Sequence, residues 1–154
     1  MLGPETKPPK ATVLLIEDSP EVQRYLRLIL ELDHYRVETA DNGEAGIQRL
    51  RDGCAPAVVL LDMQMPGMDG LQTLQRLREM QPELKVVMCS AEDDPQLIRQ
   101  AILLGTQAYL VKPVQHLYLS AALDRCFRQS ARQSAPAIEA RVVTLPSNGL
   151  YRPN

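Results

Sequence analysis

The sequence has few cysteines and no long apolar run. Its three cysteines, Cys54, Cys89 and Cys126, are an odd number at wide spacings. This pattern does not suit a disulfide framework or a cysteine metal site, and it favours reduced thiols in a cytosolic protein. Residues 1–10 contain no apolar signal segment, and no run approaches the ~20 apolar residues that cross a bilayer. We therefore expect a cytoplasmic protein with no membrane partner.

The sequence also lacks an excess of basic residues. Its net charge is -2, but residues 1–124 hold 12 basic against 18 acidic side chains, whereas residues 125–154 hold five arginines against one glutamate. An acidic body argues against binding along nucleic acid, and scattered arginines are typical of a solvated tail. We expect no direct nucleic-acid partner.

A regular alternation of apolar runs and amphipathic segments is present instead. Short apolar runs predict five buried strands, at residues 11–16, 35–39, 57–61, 84–88 and 107–111. Apolar residues at helical spacing follow each run, at residues 20–32, 45–50, 71–80, 95–104 and 114–129. Because no hairpin signal occurs, right-handed crossovers should connect parallel strands. The predicted fold is α/β: a doubly wound, flavodoxin-like, five-stranded parallel sheet of order 2-1-3-4-5 with helices on both faces.

The predicted domain covers residues 11–129. Residues 1–10 are proline-rich and predict a loose leader, and residues 130–154 are rich in Ser, Ala, Arg and Pro. This tail contains one apolar stretch, Ile138–Leu145, for which an exposed tail is favoured over a strand or a docking segment.

Polar side chains end four of the predicted strands. Glu17 and Asp18 follow the first strand, Asp62 ends the third, Ser90 the fourth, and Lys112 the fifth, directly before Pro113. The carboxyl ends of parallel strands meet at one edge of the sheet, where α/β proteins bind ligands. The sequence therefore predicts a site for a divalent cation and a phosphoryl group at this edge.

The three carboxylates predict a magnesium-dependent phosphoryl acceptor. Asp62 ends the most apolar strand, where it can accept a phosphoryl group as a mixed anhydride. Glu17 and Asp18 would repel Asp62 unless a cation neutralised them, and Mg²⁺ prefers such oxygen ligands. We expect Asp18 and Asp62 as direct ligands, Glu17 through water, and the backbone carbonyl of Gln64 as a further ligand. The alternative that Asp18 and Ser19 only cap the first helix stays open.

Two further side chains complete the predicted site. Lys112 offers a mobile positive charge for the acceptor carboxylate or the incoming phosphoryl oxygens. Pro113 favours an extended backbone at Lys112, and a cis bond there would direct the lysine inward. Ser90 offers a hydroxyl donor, although a serine after a buried strand is commonly a turn residue.

The motifs resemble the receiver domain of bacterial two-component response regulators. The resemblance covers residues 11–129 and rests on four segments, Val13–Asp18, Leu60–Gly70, Ser90–Ala91 and Tyr109–Pro113. It implies that a sensor histidine kinase or a phosphotransfer protein donates its phosphoryl group to Asp62 with Mg²⁺ present. It also implies a single-domain, chemotaxis-regulator-like signalling domain that assists its own phosphorylation and dephosphorylation, rather than an enzyme.

The resemblance also implies a switch. In the family the residue matching Ser90 moves toward the phosphoryl group, and the aromatic matching Tyr109 turns inward. This remodels the face formed by the fourth helix, the fifth strand and the fifth helix, which would contact a downstream protein target and allows a homodimer. Glu17 replaces the more frequent Asp, and Ser90 the more frequent Thr. Gln64 and Glu92 occupy positions that modulate the lifetime of the acyl phosphate in the family.

Three other functions compete with this interpretation. A phosphohydrolase of the haloacid-dehalogenase type needs a second acid two residues after the acceptor, and position 64 is Gln. A phosphorylation-independent scaffold has no physical reason to keep five mutually strained groups. A DNA-binding output needs more apolar periodicity than the residues after Gln129 contain, unless the chain is part of a longer one.

Overall fold

The described part of the chain contains one α/β domain. A computed structural model describes residues 7–131, with side chains through residue 128. Residues 1–6 of the predicted leader and residues 132–154 of the predicted tail, with the Ile138–Leu145 stretch, lie outside the described residues.

Five parallel strands form a single sheet in the described residues. They are β1 (Thr12–Ile16), β2 (Arg36–Ala40), β3 (Val58–Asp62), β4 (Val86–Ser90) and β5 (Ala108–Val111). Their order is β2-β1-β3-β4-β5, which confirms the predicted topology. Every residue of β3 and β4 is buried, as expected for central strands covered on both faces.

Five helices alternate with the strands. They are α1 (Pro20–Leu32), α2 (Gly43–Arg51), α3 (Gly70–Met80), α4 (Pro95–Leu103) and α5 (His116–Ala131). No helix of the described residues combines the length and the apolar character that a bilayer-crossing segment needs.

The helices divide between the two faces of the sheet. Alternate residues of β1 show this division, because Val13 and Leu15 pack with apolar side chains of α1 and α5, whereas Leu14 and Ile16 pack with those of α2, α3 and α4. Successive strand residues point to opposite faces, so each central strand contributes to both layers. The two layers hold the strands in one register and fix where they end.

Strand register brings the predicted polar residues to one edge. Asp62 pairs with Cys89, one residue before Ser90, and Ser90 pairs with Val111, one residue before Lys112. Ile16 pairs with Leu61 on the other side of β3. The residues that follow these positions therefore lie side by side at the carboxyl edge of the sheet.

Element boundaries differ from the predictions by up to two residues. β4 begins at Val86 rather than Leu84, because Leu84 belongs to a turn in which its amide donates to the Gln81 carbonyl at 3.1 Å. α2 begins at Gly43 rather than residue 45, because the Asn42 side chain caps it by accepting from the amide of Ala45. α5 begins at His116 and runs to Ala131.

Candidate functional site

Asp62 lies at the centre of the site, at the end of β3. Its side chain is only 3% exposed. Its Oδ1 atom accepts a hydrogen bond from the Gln64 amide at 3.2 Å and lies 3.1 Å from the Lys112 ammonium. No described residue donates to its Oδ2 atom. Since every buried side-chain oxygen of the described residues has a hydrogen-bond partner, the unpartnered Oδ2 atom is not fully buried and can be reached by solvent or a ligand.

Lys112 joins two carboxylates across the edge of the sheet. It follows β5, and its bond to Pro113 is cis. Its Nζ atom lies 2.9 Å from Glu17 Oε2 and 3.1 Å from Asp62 Oδ1. Burial acts to lower the pKa of Lys112, but the bonds to Glu17 and Asp62 outweigh burial and raise it. The Lys112 side chain therefore stays protonated and places a positive charge at this edge.

Glu17 and Asp18 occupy different environments. Glu17 is 1% exposed, and both its carboxylate oxygens have donors, because Oε1 accepts from the Ser19 amide at 3.2 Å and Oε2 pairs with Lys112. Asp18 is exposed, and no described residue donates to its side chain. Ser19, not Asp18, caps α1 by accepting from the Val22 amide. The capping alternative thus holds for Ser19 alone.

The three acids form a cluster that can hold a metal ion. One carboxylate oxygen from each of Glu17, Asp18 and Asp62 lies within 4.8 Å of the others. The pKa of Asp62 is raised to about 7, chiefly by burial. The positive charge of Lys112 acts to lower this pKa, and the negative charge of Glu17 acts to raise it. One ammonium among three carboxylates leaves excess negative charge. This set of hard oxygen donors fits Mg²⁺ better than a softer transition metal.

Ser90 and Tyr109 lie behind this cluster and are linked through the backbone of one residue, Glu92. Both side chains are fully buried. The Glu92 amide donates to Ser90 Oγ at 3.0 Å, and the Tyr109 hydroxyl donates to the Glu92 carbonyl at 3.1 Å. The Tyr109 side chain therefore already points inward, and the backbone of Glu92 connects it to Ser90.

The loop after Asp62 is closed at its base. The Gly70 amide donates to the Met63 carbonyl at 2.9 Å. A Cβ atom at Gly70 would lie 2.5 Å from both the Asp62 carbonyl oxygen and the Met63 Cα atom. Asp69 begins α3 with a capping box in which it exchanges hydrogen bonds with Gln72. The start of α3 is thus in direct contact with the strand end that carries Asp62.

Two residues of α1 that the sequence did not suggest also reach the site loops. Gln23 donates to the Glu17 carbonyl and to Asp41 Oδ1, each at 3.1 Å. The Tyr25 hydroxyl donates to the Val114 carbonyl at 2.9 Å, just after Lys112 and Pro113. The only sequence signal for either is its place on the first turns of a helix that follows the acidic pair.

Comparison with known proteins agrees with this geometry. Residues 13–124, more than half of the chain, match the family described as the response regulator receiver domain. Over 126 residues the chain is 40% identical to the positive alginate biosynthesis regulatory protein of Pseudomonas aeruginosa, covering 80% of this chain and 50% of that protein. It is 36% identical over 105 residues to the chemotaxis protein CheY of Treponema pallidum, covering 66% of this chain and 72% of that protein.

The fold resembles solved structures of the same family. A complex of CheX and CheY with beryllium fluoride and magnesium, from Borrelia burgdorferi, matches with a TM-score of 0.72 and 27% identity, covering 75% of this chain and 88% of that chain. The chain spans about half to two thirds of the length of several curated relatives, including transcriptional regulators. The single-domain, chemotaxis-like form therefore stays a prediction.

Proposed function

The chain belongs to the family of response regulator receiver domains, and on that premise we propose that Asp62 accepts a phosphoryl group from a histidine kinase or a phosphotransfer protein. Receiver domains are signalling domains. Asp62, Ser90, Lys112 and Tyr109 are the proposed functional side chains, and Glu17, Asp18, Asp62 and the Gln64 carbonyl are the proposed magnesium site.

The open Oδ2 atom of Asp62 is the observation that carries this proposal. Lys112 and the Gln64 amide both contact Oδ1, so Oδ2 is the oxygen available to attack phosphorus. In the transfer a bond forms between Oδ2 and phosphorus, the bond from phosphorus to the histidine nitrogen breaks, and the electron pair leaves with the imidazole. The product is an acyl phosphate on Asp62 and a histidine that takes up a proton.

The acidic cluster explains the need for a divalent cation. Attack by Asp62 brings an anionic phosphoryl group toward three carboxylates and a single ammonium. Bound Mg²⁺ supplies positive charge that offsets this repulsion. We assign Asp18 and Asp62 as direct ligands because Asp18 has no donor among the described residues. Glu17 acts through water in this scheme, since both its carboxylate oxygens are already bonded.

Lys112 stabilises the phosphorylated form in this scheme. Phosphorylation changes a carboxylate of charge -1 into an acyl phosphate of about -2 with new acceptor oxygens. The ammonium lies 3.1 Å from Asp62 Oδ1, close enough to move to a phosphoryl oxygen without a change in the backbone. Its bond to Glu17 at 2.9 Å keeps it at the site edge while it does so.

We further propose that Ser90 transmits the change to the face formed by α4, β5 and α5. In this scheme the Ser90 hydroxyl donates to a phosphoryl oxygen, and movement of Ser90 toward that oxygen stretches the hydrogen bond that its Oγ atom accepts from the Glu92 amide. Because the Glu92 carbonyl accepts from Tyr109, movement of the Glu92 backbone would shift Tyr109 and the start of α4. This face would then contact a downstream protein target or a second copy of the chain.

The test of the acceptor is mass spectrometry of the full chain after incubation with acetyl phosphate and Mg²⁺. We expect one added mass of ~80 Da, located on Asp62. The Asp62→Asn variant should show none, because the amide is not a nucleophile at this position. The control is Asp52→Asn, which changes an exposed carboxylate at the end of α2 and should be labelled like the unaltered chain.

Two results would contradict the assignment. Unchanged labelling of the Asp62→Asn variant would move the acceptor to another residue. Many turnovers of a small phosphomonoester per chain would indicate a phosphohydrolase instead of a signalling domain.

A further inference from the structure

Gln23 is the side chain of α1 that reaches the acidic loop. It lies in the second turn of α1 and is half-buried. Its Nε2 atom donates to the Glu17 carbonyl and to Asp41 Oδ1, each at 3.1 Å, with a longer contact of 3.5 Å to the Ala40 carbonyl. One side-chain amide therefore connects the loop after β1 with the end of β2 and the loop that follows it.

The bond to the Glu17 carbonyl holds the peptide unit that joins Glu17 to Asp18. The Glu17 amide donates to the Ala40 carbonyl at 3.1 Å, and the Glu17 carbonyl accepts from Gln23. Hydrogen bonds on both sides of Glu17 thus hold the backbone from which Asp18 extends. A peptide plane held in this way cannot rotate without losing at least one hydrogen bond.

Asp18 depends on this backbone more than its neighbours do. The carboxylates of Glu17 and Asp62 are each held by Lys112 and by a backbone amide. The Asp18 side chain is exposed and receives no hydrogen bond from the described residues. Its distance to the other two acids is therefore set by the peptide unit before it, and not by any contact of its own.

The charge of Gln23 also matters. A lysine or an arginine at this position could donate to the same acceptors, but it would bring a second positive charge toward the acid cluster and would compete with a metal ion. The neutral amide of Gln23 holds the loop and leaves the negative charge of the three acids available for a cation.

We propose that Gln23 is a positioning residue for the magnesium site, which it serves by holding the Glu17–Asp18 peptide unit against the end of β2. This inference rests on the proposed function, because it takes the acid cluster as a magnesium site. It assigns to α1 a role in metal affinity, in addition to its packing against the sheet.

The test compares Gln23→Met with Gln48→Met in the full chain. Methionine keeps the length and the helix propensity of glutamine but cannot donate a hydrogen bond. Gln48 is a matched control, because it also donates to a carboxylate, Asp52, at 2.9 Å on an exposed helix surface. Titration calorimetry with Mg²⁺ alone should give a dissociation constant that is about fivefold higher for Gln23→Met, as expected for one lost hydrogen bond, and unchanged for Gln48→Met.

A second measurement separates positioning from a general loss of structure. Amide hydrogen exchange in metal-free protein should be faster at Glu17 and Ser19 in Gln23→Met, because these are the amides of the segment that donate hydrogen bonds, while the interior of the strands stays unchanged. Labelling by acetyl phosphate should need about fivefold more Mg²⁺ for half-saturation while the rate at saturating Mg²⁺ stays the same. Gln23→Asn keeps the amide but shortens its reach, and we expect the same direction of change.

The failures of the two proposals are distinguishable. An unaltered chain that binds no Mg²⁺ and is not labelled at Asp62 would overturn the proposed function and this inference together. An unaltered chain that binds and is labelled, with equal dissociation constants for Gln23→Met, Gln23→Asn and the unaltered chain, would overturn the inference alone. An equal loss of affinity in Gln48→Met would also overturn it.

Discussion

The two edges of the sheet differ in how their charged side chains are paired. At the carboxyl edge, where the strands end, the carboxylates of Glu17, Asp18 and Asp62 lie together, and the Lys112 ammonium pairs with two of them, Glu17 and Asp62. At the amino edge, where the strands begin, two half-buried cations, Arg78 and Lys85, donate to backbone carbonyls. Arg78 donates to the carbonyls of Leu104, Gly105, Pro82 and Leu84.

The amino edge stabilises the molecule, whereas the carboxyl edge carries the candidate site. At the amino edge each guanidinium nitrogen of Arg78 donates to at least one neutral acceptor, and the guanidinium joins the end of α3, the turn before β4 and the end of α4. At the carboxyl edge, repulsion between the acids opposes folding, Lys112 offsets part of that repulsion, and a bound cation would offset more of it. Functional sites commonly keep such unfavourable local arrangements, which the rest of the fold must offset.

The largest expected effect is at the amino edge. Arg78→Met should lower the free energy of unfolding by about 3 kcal/mol, because it leaves several carbonyls without donors. Urea unfolding followed by circular dichroism measures the loss. Labelling of Asp62 under folding conditions should be unchanged. Arg76→Met, on the exposed side of the same helix, is the control and should stay within about 0.5 kcal/mol. A loss for Arg78→Met no larger than that of the control would break the comparison.

The second effect has the opposite sign and lies at the carboxyl edge. In metal-free protein, Asp62→Asn should raise the free energy of unfolding by about 2 kcal/mol at pH 8, because it removes a buried carboxylate from a repulsive cluster. The pKa of Asp62 is raised to about 7 in the folded protein, above its ordinary value of 3.8. Because Asp62 is protonated more readily in the folded than in the unfolded chain, the free energy of unfolding of the unaltered chain should fall as the pH rises from about 4 to about 7.

The difference between the two chains is the informative quantity. It should be small near pH 4 and should grow through neutral pH, as measured by urea unfolding at a series of pH values with a chelator present. A destabilised Asp62→Asn variant at pH 8 would mean that the bond of Asp62 to Lys112 outweighs the repulsion.

The smallest expected effect tests whether the free energy of unfolding lost with a cation depends on the number of carbonyls that the cation binds. Lys85, directly before β4, donates to the carbonyl of Cys126 in α5. Lys85→Met removes one such bond and should cost about 1 kcal/mol. The same urea measurement applies. A loss as large as that of Arg78→Met would show that the stabilisation does not depend on how many carbonyls each cation binds.

The topology could be predicted because the sequence marks it at every strand. Each strand is a short apolar run, and each is followed by a segment with helical spacing, so sheet order and helix placement follow from general rules. Exact boundaries could not be predicted, because they depend on single turns. The Leu84 amide bonds to the Gln81 carbonyl, and nothing in the apolar pattern distinguishes that turn from the first residues of β4.

The residues of the candidate site that carry distinctive side chains could be predicted to lie together. The residues that contribute through hydrogen bonds to the backbone could not. The structure brings Glu17, Asp62 and Lys112 together as expected. Gln23, beside the candidate site, and Arg78, at the amino edge, were both missed, since their acceptors are chiefly carbonyl groups, which every residue has. Gln23 also reaches Asp41, 18 residues away, and Arg78 reaches Leu104, 26 residues away. Glutamine and arginine on a helix are ordinarily exposed, so composition gave no signal.

The absence of a side chain at Gly70 couples two parts of the molecule that are well separated along the chain. Because the Cα atom of Gly70 packs on the backbone of Asp62 and Met63, any larger residue there must displace either the end of β3 or the first turn of α3. The loop of residues 64–69 leaves β3 and returns to it at this contact, where the Gly70 amide also donates to the Met63 carbonyl. A substitution at Gly70 should therefore disturb the position of the Asp62 carboxylate as much as a change made directly beside it.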